Sequence, residues 1–114
     1  MDRKKQLKQE YRQMKPAMGV FAIQSLDTQK YYLEGTTNLK AAVNRSIFQL
    51  NFGAHPNREL QKDWQKSGQE RFVIKTIDEL PYAEDQPTKD YRDEVQELQE
   101  MWVEKLRSEG ADLY

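Results

Sequence analysis

The side chains able to do acid–base, nucleophilic or metal chemistry are few and unevenly placed. Histidine occurs once, in His55-Pro56-Asn57, and cysteine does not occur. A lone histidine cannot build a His-rich metal centre. The lack of thiols excludes a thiolate zinc site, a cysteine nucleophile and a disulfide scaffold. No Gly-x-Ser-x-Gly elbow and no phosphate-cradling glycine loop is present. His55 stands just ahead of an expected helix, where it either caps a loop or touches a ligand. Carboxylates gather near the C-terminal end. Asp93, Glu97, Glu100 and Glu104 recur at i, i+4, i+7 and i+11, so they share one helical stripe, with Glu94 beside it. Such a stripe is ordinarily a hydrated face, and a single divalent-metal ligand is its functional alternative. Cations line the middle of the chain as Lys40, Arg45, Arg58, Lys62 and Lys66, with Lys62 and Lys66 one helical turn apart.

These residues must be held by elements that the pattern of apolar side chains predicts. Leu7, Tyr11 and Met14 fall on one face of a helix over residues 2–15, which Pro16 stops. Gly19 to Leu26 reads as a strand, Asp27-Thr28-Gln29 as a turn, and Lys30 to Leu33 as the returning strand of a hairpin. Asn38 is an N-cap for a helix carrying Leu39, Val43 and Leu50, closed by Gly53. Asn57 caps a shorter helix with Leu60 and Trp64, closed by Gly68. Residues 71–77 read as a third strand and 80–88 as a loop containing Pro81 and Pro87. Asp90 opens a long helix whose apolar stripe is Tyr91, Val95, Leu98, Trp102 and Leu106. The order α-β-β-α-α-β-α predicts an α+β fold, a small three-stranded antiparallel sheet flanked by helices.

Size and composition set the outer limits. At 114 residues the chain fits one domain, and it can bury roughly two-thirds of the surface exposed when unfolded. Twelve aromatics against 32% charged residues indicate a folded domain with a charged surface. The longest uncharged apolar run, Ala17 to Ile23, is far short of a membrane span, and no secretory cleavage pattern opens the chain. A cytoplasmic protein with no membrane partner is the expectation. The net charge of −1 divides into +4 over residues 1–15, +3 over 16–77 and −8 over 78–114. Oppositely charged segments lying side by side, or an acidic segment competing with nucleic acid for a basic face, both fit that division.

One local pattern goes further. Gly19-Val20-Phe21, ten intervening residues and then Tyr32-Leu33-Glu34, followed by Gly35-Thr36-Thr37-Asn38-Leu39, resembles the two-strand signature of the GIY-YIG nuclease domain. His55-Pro56-Asn57, Leu60-Gln61-Lys62, Trp64 and Gly68 resemble its continuation in small stand-alone members. The resemblance divides the chain into a helical extension over 1–16, a GIY-YIG-like domain over 17–108 and a short tail over 109–114. It implies a phosphodiesterase site where two strand tyrosines meet, one of which helps activate water or relay its proton. An arginine on the next helix would hold the phosphate, and a glutamate on a later helix would bind Mg²⁺.

The chain departs from that pattern at four positions. Phe21 stands for the first tyrosine and lacks its hydroxyl, whereas Tyr32 matches the second. Glu34 occupies the motif glycine; with one residue inserted, Gly35 would be that glycine and Leu33 would replace the tyrosine. The expected arginine position holds Ala42, with Arg45 three residues on as a substitute. The metal-glutamate position, counted back from Trp102, holds Gln99, and the neighbouring Glu100 serves as ligand only in a shifted helical register. Loss at all four positions argues for a catalytically impaired relative kept as a binding or interaction module, with no cofactor. Its partner would be DNA or RNA, held weakly through Lys40, Arg45, Arg58, Lys62 and Lys66 because Glu59 and Asp63 dilute the patch. Two alternatives stand beside it. One is an active Mg²⁺-dependent endonuclease using Tyr32, Arg45 and Glu100; the other is a protein-interaction module built on the acidic last helix.

Overall fold

The stretch Met-Gly-Val-Phe-Ala-Ile-Gln-Ser, Met18–Ser25, is apolar at almost every position, the pattern of a strand covered on both faces. In the computed structural model, which describes residues 15–86 and 89–114, it is β1, the middle strand of a three-stranded antiparallel sheet. Its neighbours are β2, Tyr31–Thr36, and β3, Phe72–Leu80. Two helices, α1 over Leu39–Asn51 and α2 over Arg58–Ser67, follow the hairpin, and α3, Arg92–Ser108, follows β3. The helix expected over residues 2–15 lies, apart from Lys15, outside the described residues.

Because side chains alternate along a strand, β1 supplies two cores at once. Phe21 and Ile23 point to one side and pack with Leu39, Ala42 and Leu50 of α1 and Leu60 and Trp64 of α2. Val20 and Ala22 point to the other, where Leu33 joins them against Leu98, Trp102, Val103 and Leu106 of α3. Complete burial of a side chain such as Phe21 stabilises the fold by about 1.5–3 kcal/mol.

The helices begin where their caps dictate. The Asn38 side-chain oxygen accepts the Ala41 N–H at 3.1 Å, and that of Asn57 accepts the Leu60 N–H at 3.1 Å. Both outer strands of the sheet run past their expected C-terminal limits. β2 continues to Thr36 because its ladder with β1 extends to the pair Gly19–Thr36. β3 continues past Ile77 through a β-bulge opposite Val20 and Phe21, which turns Asp78 toward α3. There its carboxylate accepts the Trp102 indole N–H at 2.9 Å, so an acid just past the expected strand end is satisfied inside the packing.

The segment expected as a tail is tied in. Tyr31 donates its N–H to Asp112 and accepts the Tyr114 N–H, forming a parallel bridge to Leu113 on the outer side of β2.

Candidate functional site

Tyr32 and Glu34 are two apart on β2, so both face α1 and α2, while Leu33 between them enters the α3 core. The Tyr32 hydroxyl donates to Glu34 Oε1 at 2.7 Å. Arg45, on α1, donates from its terminal guanidinium nitrogen to Glu34 Oε2 at 3.2 Å. Ala42, one turn earlier on the same helix, is buried in the core beside Phe21, where a guanidinium has no room. The helix therefore carries its cation to the cluster from position 45, whose side chain remains 60% exposed.

His55 completes the cluster from the α1–α2 loop. Its ring meets the Tyr32 ring edge-on, with centroids 5.0 Å apart. Its Nδ1 accepts the Asn57 N–H at 3.0 Å, which leaves the proton of the neutral ring on Nε2. The buried Gln61 side chain locks the loop, accepting the His55 N–H and donating to the Leu50 carbonyl, each at 2.9 Å.

Electrostatics hold the proton on the phenol. Burial raises the Tyr32 pKa first, and the hydrogen bond to Glu34 and its negative charge raise it further against the opposing charge of Arg45. Tyr32 is thus a hydrogen-bond donor at neutral pH, not a base. Burial likewise lowers the His55 pKa, although the Glu34 charge pulls it upward. The two donors that an arriving phosphate would meet, Tyr32 and Arg45, already share one anion of the chain itself. A second anion brought to about 4 Å of that carboxylate meets repulsion on the order of 4 kcal/mol at an effective dielectric of about 20.

The remaining motif positions divide between the two faces. Phe21 is fully buried and structural. Gly35 lies where α3 crosses β2: a Cβ there would sit 2.5 Å from the Val95 carbonyl oxygen. Position 34 carries a side chain toward the other layer without such a conflict. The Gly35 N–H is accepted by Gln99 Oε1 at 2.8 Å, so this amide oxygen is committed to the strand. Glu100, about 100° further round the helix, is exposed and accepts from Gln96 Nε2 at 3.3 Å on its own helix. Gln99 thus faces β2, as its alignment to the metal-glutamate position predicts, and the shifted register in which Glu100 would serve is not the one adopted. Among the described residues no three His, Cys, Asp or Glu side chains are grouped to hold a metal ion. The donor set does not fit the Mg²⁺ implied by the resemblance, since the position that should offer a carboxylate offers a neutral amide already in use.

Of the cations expected to form a basic patch, Lys40 on α1 and Arg58, Lys62 and Lys66 on α2 are exposed. The neighbouring acids are engaged. Glu59 pairs with Lys30, and Asp63 accepts the Tyr114 hydroxyl at 2.7 Å. Of the α3 carboxylates, Asp93, Glu97, Glu100 and Glu104 all face solvent. Strand alternation puts Glu34 on the same face as Tyr32, but its contact with Arg45 depends on how α1 docks on the sheet. The contact of His55 with Tyr32 had no local signal, because it depends on how the α1–α2 loop folds back over β2.

A hairpin, two helices, a third strand on the far side of the first and a closing helix make the fold of the GIY-YIG catalytic domain. The solved structures show this directly. The catalytic domain of the homing endonuclease I-TevI superposes with a TM-score of 0.66 at 23% identity, covering 83% of this chain and 94% of that one. A mutant of that domain, described as from an intron endonuclease, gives a TM-score of 0.66 at 22% identity over 84% and 90% of the two chains. No protein-family model matches the chain, and no curated protein matches it significantly. No helix among the described residues is long and apolar enough to cross a membrane.

Proposed function

We propose that the chain is a nucleic-acid-binding domain on a nuclease scaffold, with its phosphate position filled by its own carboxylate and its hydrolytic power lost. The observation that carries this reading is the single anion, Glu34, bridging Tyr32 and Arg45. Hydrolysis on such a scaffold needs a positioned base, a cation against the phosphate and a metal at the leaving oxygen. Here the tyrosine keeps its proton, the guanidinium is shared with Glu34, and position 99 holds an amide. What remains is a basic surface along α1 and α2, suited to weak and salt-sensitive binding of DNA or RNA.

Supercoiled plasmid incubated with Mg²⁺, and the same DNA run in a retardation gel at low salt, test the two halves separately. Retardation without nicking is the expected result. Mg²⁺-dependent nicking that disappears in Tyr32→Phe would establish the active endonuclease instead, and unchanged mobility at low salt would remove the binding half.

A further inference from the structure

The two most exposed aromatic side chains of the described residues are neighbours. Phe48 is 62% and Phe52 72% exposed, and their rings lie 4.5 Å apart at an interplanar angle of 30°. The other large exposed apolar side chains, Leu26, Val73 and Met101, lie on other elements, away from α1. Phe48 lies on the last turns of α1 and Phe52 is the residue that caps its C-terminal end, its N–H donating to the Phe48 carbonyl at 3.1 Å. Positions 45, 48 and 52 fall within about 60° of arc at 100° per residue, so the rings continue the line of Arg45 away from the Tyr32–Glu34 cluster. Residues 35–58 around them contain Lys40, Arg45 and Arg58 and no acid.

We infer that Phe48 and Phe52 form a stacking platform for unpaired bases of a single-stranded nucleic acid, whose backbone runs along Arg45 and Arg58. The inference rests on the nucleic-acid reading above and names the form of nucleic acid bound. Two exposed rings tilted by 30° to each other offer π faces to solvent, which any base can meet without a sequence requirement. The lack of acids between residues 35 and 58 suits a polyanion, with Glu34, paired to Arg45, standing at the edge of the span. A duplex keeps its bases stacked internally, so it would use the cations alone and leave the rings unused. A second copy of the chain or another protein is less well matched, because two phenyl rings fall far short of the roughly 800 Å² per partner of a stable interface.

The test compares a labelled oligothymidylate with a duplex of equal length, by fluorescence anisotropy at low salt. The proteins are the full chain, the pair Phe48→Ala with Phe52→Ala, and the pair Phe48→Leu with Phe52→Leu. Both rings are exposed, so the variants should melt like the parent. Loss of one stacked base predicts single-strand binding weakened roughly 5- to 150-fold in both pairs, with duplex binding within about twofold of the parent. Equal single-strand affinity in the alanine pair would overturn the platform while leaving the nucleic-acid reading intact. Binding retained by the leucine pair would overturn stacking in favour of plain apolar contact. A parent that forms a dimer in sedimentation, lost in the alanine pair, would assign the rings to self-association. A parent that binds neither probe would end both this inference and the reading beneath it.

Discussion

The two faces of the sheet are built to different standards. The α3 face is apolar: Val20, Ala22 and Leu33 meet Leu98, Trp102, Val103 and Leu106, and the polar contact of Trp102 with Asp78 is fully satisfied. The α1–α2 face has an equally dry centre around Phe21 and Ile23. At its β2 edge, however, it holds a hydroxyl, a carboxylate, a guanidinium and an imidazole within one cluster. Adjacent residues of one strand belong to these two regimes, since Tyr32 and Glu34 face one way and Leu33 and Gly35 the other. The difference teaches that the scaffold's stability and its chemistry are separable at the level of single positions on β2.

The largest effect that would test this separation is at Gly35. Gly35→Val places side-chain atoms against the Val95 carbonyl, and overpacking of this kind should cost about 3 kcal/mol, on the order of 10 °C in melting temperature. Glu34→Ala, the neighbouring residue, should melt within a few degrees of the parent; equal losses at both positions would break the comparison. Second, Glu34→Ala frees Tyr32 and Arg45 for an external anion. It should tighten DNA binding at low salt about tenfold, equivalent to about 1.4 kcal/mol, a fraction of the repulsion at contact because Arg45 is well solvated. Unaltered affinity would mean that the phosphate does not approach this cluster. Third, Lys62→Glu should weaken binding alike for all sequences and flatten the plot of log affinity against log salt by about one unit.

The smallest effect is a pH dependence of stability through His55. Burial lowers its folded-state pKa below the ordinary 6.5, so the fold favours the neutral ring. The corresponding stability is present above pH 6.5 and is lost as pH falls from there through the folded-state value. Thermal melts between pH 5 and 8 should show that decline in the parent and a flatter profile in His55→Asn. Equal slopes would place the titration elsewhere.

Much of the fold is legible because its signals are local. The two asparagine caps, the apolar run of β1 and the stripe from Tyr91 to Leu106 each depend on residues a turn or a pleat apart. The extension of β3 to Leu80 was not legible, because a bulge reverses which face Asp78 occupies and that reversal is set by the partner strand. The site was legible in part. Tyr32, Glu34 and Arg45 stand at or near positions that the GIY-YIG resemblance marks, whereas His55 arrives through a loop whose path is fixed by a buried amide, Gln61. The orientation of Gln99 against Gly35 requires knowing how α3 crosses the sheet, which no spacing within the helix encodes.

That crossing also governs how a partner can approach. The N–H groups of Tyr31 and Gly35 both point outward from β2, and each is already accepted, by Asp112 and by Gln99. A sheet margin sealed at both ends offers an incoming peptide no template for strand addition. Recognition on this side of the molecule must therefore run through side chains of the helices rather than through main-chain pairing.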